Sequence, residues 1–381
     1  MRFPDDVPRL TDGDITLRAH SLDDAEAVVE QCTDPVSVRW TTVPLGYDAA
    51  MALDWLTTSI PDGWESGSER MFAIETTHPD GRRRFSGSLS LRDEGDRRAE
   101  LAFGAHPAVR GRGVMTKAVT MLLDYGFDTC GLETVLWLAN VGNVSSRRVA
   151  WKTGFTFGGG VVRRWLPQRG EFHDAWVASL HRCDPREPKS RWLDIPVIEA
   201  DRFRLRPLDD RDVPRLVEAS ADERTRHWLS FLPDRYTEQD AHAFILGSST
   251  AAAEGAGLHW AVADSQHDIL LGTIGLPRAA GNGWELGYYM HPDARGRGIM
   301  REAVGLATRH VLLDSADGGL GATRAFIKTA AGNAASQYVA VANGYTQYGR
   351  ETASERLRDG SVTDMVLFER LSTGCADTPV R

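Results

Sequence analysis

The chain repeats itself, and that repetition constrains its fold more than any other feature. The segment His106-Pro107-Ala108-Val109-Arg110-Gly111-Arg112-Gly113-Val114-Met115 returns 185 residues later as His291-Pro292-Asp293-Ala294-Arg295-Gly296-Arg297-Gly298-Ile299-Met300. Other matches keep the same order at nearly the same distance. Leu17-Arg18 and Asp24 recur as Leu205-Arg206 and Asp212, and Tyr47 and Trp55 as Tyr236 and Phe244. Asn143, Ser146, Gly154 and Phe155 recur as Asn333, Ser336, Gly344 and Tyr345, and Gly170 and Asp174 as Gly360 and Asp364. An ordered series of this kind describes one unit used twice. Its period far exceeds the roughly 20–50 residues of stacked solenoid repeats, so the chain is a duplication. The 381-residue length agrees, because single cores rarely grow past about 250–300 residues. Between the copies, Asp184-Pro185-Arg186-Glu187-Pro188-Lys189-Ser190 is polar and proline-containing, as a linker is. The expected domains are 9–183 and 195–372, joined by 184–194.

Composition excludes several classes. A net charge of −9 argues against a general nucleic-acid binder, which needs a basic footprint. Cys32, Cys130, Cys183 and Cys375 are scattered, without CxxC or Cys/His spacing, so they read as reduced thiols and no metal is expected. The first ten residues carry acids and prolines where a signal peptide needs an apolar run, and no apolar stretch is long enough to span a membrane. The expected location is the cytoplasm, with no membrane partner.

Within each copy the alternation of apolar residues predicts a short opening strand (15–18; 203–206) and two helical stretches. A strand pair follows (71–76 with 87–91; 259–264 with 271–276), then a third strand (99–105; 284–290). That third strand runs into His-Pro, Arg-Gly-Arg-Gly and a helix, on which Met115, Ala118, Val119 and Leu122 share one face. A further strand, a short helix closed by Gly154 or Gly344, and a final hairpin complete an α/β unit on a mixed sheet.

A strand leading through Arg-Gly-x-Gly to a helix N-terminus can hold a diphosphate. The glycines let backbone N–H groups converge, and the helix adds the positive end of its dipole. The arginines can add charge. Neither a Walker loop nor a GxGxxG fingerprint is present. The second pattern is Asn143-x-x-Ser146 with Gly154, repeated as Asn333-x-x-Ser336 with Gly344. Asn and Gly alone are ordinary helix punctuation, but that does not explain a serine recurring at the same place in both helices.

These motifs, with Trp137 in the strand before the Asn helix, resemble the GNAT superfamily of N-acetyltransferases, in particular its RimJ/RimL-like branch. The resemblance covers almost the whole chain in two passes. It implies two tandem GNAT-like domains, each a mixed, mostly antiparallel, splayed β-sheet flanked by helices, and acetyl-CoA as cosubstrate. The pyrophosphate would lie on Val109, Arg110, Gly111, Arg112, Gly113 and Val114, and on Ala294, Arg295, Gly296, Arg297, Gly298 and Ile299. Asn143 and Asn333 would touch the pantetheine arm, and Ser146 and Ser336 would sit near the sulfur. The sequence departs from the pattern at Ala108 and Asp293, where the general family has Gln or Arg, and at Ala150 and Ala340, where many members have a tyrosine acid. Asn140 faces Ala330 in the other copy, so the two sites are not identical.

The implied enzyme is an acyltransferase acting on a primary amine, either a small molecule or a protein N-terminus, by direct attack. A base must first deprotonate the ammonium. Glu100 and Glu285 occupy the same register of the strand entering the loop and are the first candidates, with His106 and His291 second. Backbone N–H groups at 103–104 and 288–289 are placed to meet the carbonyl oxygen, and Ser146 or Ser336 the thiolate. The alternatives are an acyl-CoA-binding scaffold with one or both domains inactive, or transfer of another acyl group such as succinyl. One copy can also serve the other as a partner, forming an internal pseudo-dimer.

Overall fold

The structure is a computed structural model that describes residues 7–279 and 283–372; Cys375 lies outside the described residues. The chain divides into two compact units, Met1–Ser190 and Arg191–Arg381.

The first unit opens with the hairpin β1 (Leu10–Asp12) and β2 (Ile15–Arg18). Helices α1 (Ala25–Thr33), α2 (Pro35–Trp40), α3 (Ala49–Asp54) and α4 (Ile60–Ser66) follow. Four helices thus replace the two expected stretches. Asp34 caps a new helix at Pro35, and the second stretch passes through one wide turn just before Pro61, which has no N–H for the regular ladder. Then come β3 (Glu69–Thr77), β4 (Arg83–Asp93), β5 (Arg98–Ala105), α5 (Val114–Asp124), β6 (Thr134–Asn140), α6 (Val144–Lys152), β7 (Thr156–Gln168) and β8 (Glu171–His181). Their sheet runs β1-β2-β3-β4-β5-β6-β8-β7, antiparallel throughout except for β5 and β6.

One face of this sheet carries Phe72, Leu89, Leu91 and Leu101 against α5, whose Met115, Ala118, Val119 and Leu122 are all buried. The other face packs Ala73 and Phe85 against Val28 and Cys32 of α1 and Ala52 of α3. The recurrent Arg18 and Asp24 form a clasp, with both guanidinium Nη atoms 2.8 Å from the buried carboxylate. The pair ties β2 to the entry of α1. After β8 the chain stays on this unit: Lys189 bonds Asp184 and Thr156, Trp151 donates to the Ser190 carbonyl, and Arg186 lies over the Phe127 ring. Gly154 (φ +86°) has no room for a side chain there, since an added Cβ would sit 2.2 Å from the Pro185 carbonyl oxygen.

The second unit contains β9 (Ile198–Glu199), β10 (Phe203–Pro207), α7 (Val213–Ala221), α8 (Glu223–Trp228), α9 (Glu238–Ala253), β11 (Gly257–Asp264), β12 (Leu270–Pro277), β13 (Gly283–Glu285) and β14 (Gly287–Met290). It continues with α10 (Ile299–Leu312), β15 (Arg324–Ala330), α11 (Ala334–Ala342), β16 (Thr346–Arg356) and β17 (Val362–Leu371). Arg206 and Asp212 repeat the clasp at 2.8 and 2.9 Å. The strand expected over 284–290 is broken. β13 pairs in parallel with β15, β14 pairs with β12, and Leu286 between them donates to the Phe326 carbonyl at 2.8 Å. The described strands therefore form two sheets, β14-β12-β11-β10-β9 and β13-β15-β17-β16, joined through that strand. Each unit is a mixed, mostly antiparallel, splayed sheet flanked by helices.

Candidate active site

The site begins where two parallel strands part. β5 pairs with β6 only from Arg98 to Leu101, although it follows β4 all the way to Ala105. The His106 N–H donates to the Ser86 carbonyl, which fixes the alternation of the β4–β5 ladder. Gly104 then points its N–H at β4, and Phe103 points its own into the gap beside β6. In the second unit His291 donates to Leu271, so the Tyr289 N–H serves β12 and the Tyr288 N–H faces the gap toward β15. Of the amide pairs expected from sequence, one member in each copy is committed to the sheet. The other, Phe103 or Tyr288, is open.

The strand then enters the glycine loop. Gly111 and Gly113 have φ of 74° and 77°, and Gly296 and Gly298 have 77° and 74°. This left-handed region favours glycine, and nothing lies within 4 Å of a Cβ built at any of the four. The glycines are thus required by the backbone path, and the space before them is open. Gly113 and Gly298 cap α5 and α10 with no side-chain bond to the first turn. Two helix N-termini therefore present uncapped N–H donors and the positive end of the dipole.

The loop arginines behave differently from what the sequence suggested. Arg110 is 2.7 Å from Asp34 and donates to Ser37 Oγ at 2.9 Å, and Arg295 reaches Asp222 at 2.5 Å and Thr225 Oγ1 at 2.8 Å. Asp34 and Asp222 are the N-caps of α2 and α8, so each pair anchors the loop to a helix. Arg112 donates to the Thr77 carbonyl and Arg297 to the Asp293 carbonyl. What Arg110 and Arg295 expose to a ligand is backbone. Asp34 and Asp222 were missed in the sequence, although they too recur in order between the copies.

Asn143 and Asn333 each accept the N–H of the serine three residues on, at 3.1 and 3.2 Å, and so cap α6 and α11. Gly154 and Gly344 close those helices with φ of 86° and 74°. Ser146 Oγ accepts the indole N–H of Trp137 at 3.1 Å. Ser336 Oγ instead lies 3.1 Å from the hydroxyl of Tyr288, which also donates to the Ser336 carbonyl at 3.1 Å.

Glu100 and Glu285 share a register but not a setting. Glu100 lies on the α1 face of the sheet, where Arg92 donates to it at 3.2 Å and is itself 3.0 Å from Glu69. Burial raises its carboxyl above the usual carboxylate value against the pull of Arg92. The Glu285 side chain makes no ion pair or hydrogen bond among the described residues; Pro277 stands on β12 where β4 has Arg92. Burial raises Glu285 too, and Lys328, held 2.5 Å from Glu351, offsets this only through space. On β11, the His259 imidazole overlies Gly275, within 2.8 Å of where a Cβ would sit, and burial lowers its pKa. His106 and His291 are locked inside, bonded to Glu30 at 2.9 Å and Glu218 at 3.0 Å while accepting from their own turns. They support the loop by tying it to α1 and α7.

No group of three potential metal-ligating side chains, and no helix long and apolar enough to cross a membrane, occurs among the described residues. The sequence is similar to YdaF of Bacillus subtilis, provisionally named a ribosomal N-acetyltransferase, at 34% identity over 24% of this chain and 50% of that protein. The chain thus spans about half the length of that relative. It is also similar to an uncharacterized N-acetyltransferase, p20, of Bacillus licheniformis, at 25% identity over 44% of this chain and 92% of that protein. Among solved structures it resembles a ribosomal-protein-S5-alanine acetyltransferase from Vibrio fischeri, with 18% identity, 48% of this chain and 100% of that one covered, and a TM-score of 0.40. The model of the acetyltransferase (GNAT) domain matches residues 14–156 and again 202–346, and the chain therefore belongs to the GNAT acetyltransferase family, with two copies of the domain.

Proposed function

We propose that the protein is an acetyl-CoA-dependent N-acetyltransferase that moves an acetyl group to a primary amine by direct attack. The observation that carries this reading is the twice-built arrangement of a strand that leaves its parallel neighbour and enters an uncapped, glycine-opened helix N-terminus. The donors and open space of that arrangement fit a diphosphate. Backbone from Val109 through Val114, and from Ala294 through Ile299, would hold it, with Asn143 and Asn333 beside the pantetheine arm. Bound acetyl-CoA supplies the activated acetyl thioester. Glu100 or Glu285, through water, takes the proton from the ammonium; near pH 7 only about one alkyl amine in a thousand, and about one N-terminal amine in ten, is already neutral. The Phe103 or Tyr288 N–H steadies the carbonyl oxygen as charge grows there, and Ser146 or Ser336 donates toward the sulfur. No recurring cysteine stands ready for a covalent acyl-enzyme.

The name of the Bacillus subtilis relative supports a protein N-terminal amine as acceptor. For the first copy the Arg92 tether on Glu100 supports a second reading, in which that domain binds the cofactor and turns over slowly. Free-thiol release from acetyl-CoA across free and N-blocked peptides, amino sugars and small amines tests the proposal. Release is expected with free N-terminal amines and lost when they are blocked; silence across the whole panel overturns the reading.

A further inference from the structure

The two copies hold their helix serines by different chemistry. The Trp137 indole N–H is a donor only, so it orients Ser146 but has no proton to pass on. The second copy has Ile327 at that position and Tyr288 where the first has Phe103. A carbonyl oxygen only accepts, so the bond to the Ser336 carbonyl directs the Tyr288 proton toward Ser336. That proton is shared with Oγ, also at 3.1 Å, and the Ser336 O–H is left free to point elsewhere. The Tyr288 side chain leaves β14 and meets α11, which follows β15, so it crosses the divergence between those two strands. A group reaching Ser336 through the gap meets both hydroxyls.

We propose that Tyr288 and Ser336 form a two-hydroxyl relay that protonates the departing thiolate in the C-terminal domain, and that the N-terminal domain lacks it. This rests on the acetyl-transfer reading above. As the acceptor nitrogen bonds the carbonyl carbon, the C–S bond breaks and its electron pair stays on sulfur. Ser336 gives its hydroxyl proton to the sulfur and takes the proton of Tyr288. The Tyr288 oxygen recovers a proton from the acceptor nitrogen by way of Glu285 and water. Ala340, at the position where many family members carry a tyrosine, leaves this role open. Burial pushes the Tyr288 hydroxyl up to about 12, so it enters each cycle protonated. Tyr288 acts through Ser336 and is a positioning and relay residue.

Tyr288→Phe in the full chain should lower kcat on the order of 10²-fold, with coenzyme A affinity at neutral pH unchanged. The thiol of bound coenzyme A, followed by its thiolate absorbance, should titrate about one unit higher in the variant, a roughly tenfold loss of thiolate stabilisation. Replacing Tyr288 by 3-fluorotyrosine keeps the shape and acidifies the phenol, and should recover most of the lost kcat and the low thiol titration, with kcat measurably displaced from the wild-type value. Should Tyr288→Phe fail to fold, the fluorotyrosine protein alone decides, since its kcat must shift with phenol acidity. A wild-type kcat in Tyr288→Phe overturns the relay. So does a fall in kcat with an unmoved thiol titration, which marks Tyr288 as packing. Wild-type protein that releases no thiol overturns the acetyl-transfer reading instead.

Discussion

Glu100 and Glu285 show what a residue's position in sequence carries and what it leaves out. Their recurrence at one register is visible in the sequence, and so is the chemistry of a carboxylate near an amine. Their settings are not. Arg92 meets Glu100 because β4 and β5 pair in one register, and the same register brings Pro277 to the second copy. The role of the Tyr288 side chain was equally hidden: the sequence pointed only to its backbone N–H, until α11 placed Ser336 beside the hydroxyl. A base acts only when deprotonated. Because burial raises both carboxyls, the acid limb of kcat/KM should lie above the ordinary carboxylate range and level off toward neutrality. Glu→Gln in the domain that turns over should lower kcat by about 10²–10⁴-fold and leave acetyl-CoA affinity nearly intact. The variant's rate should then climb about tenfold per pH unit toward the amine's own pKa, near 8 for an N-terminal amine and near 10 for an alkyl amine. Single and double variants read by steady-state kinetics also locate the active copy, and wild-type rates in all three discard both glutamates as bases.

At the scale of elements, the loop and the helix after it were the most legible part, since glycines at fixed offsets before an apolar stripe admit few other structures. The break at Leu286 was not legible. Apolar residues at 284, 286, 288 and 290 carry a period-two pattern across the break, and only the choice of neighbouring strand changes, which no local pattern encodes. The four loop glycines offer a clean test. Their φ near +75° strains a β-branched residue by about 1–3 kcal/mol, yet no neighbour would be struck. Gly111→Val with Gly296→Val should therefore give a folded, modestly destabilised protein that acetyl-CoA no longer protects from thermal unfolding. A melting shift equal to that of the wild type would remove the loop from the binding site.

For the whole molecule, duplication was plain from ordered matches, and it sets the expected stoichiometry. Both copies keep the glycine loop, the uncapped helix and the capped serine helix. Titration calorimetry should accordingly find two equivalents of acetyl-CoA, and ligand at about a hundred times Kd should add about 2.7 kcal/mol per site. One equivalent would show that one loop has lost its ligand. The segment after β8 has a consequence of another kind. Because residues 185–190 cover Gly154, Phe127 and Trp151, the first domain is incomplete when its last strand has been made. During synthesis these surfaces stay uncovered until that strap has left the ribosome, and the next segment to emerge is the start of the second domain.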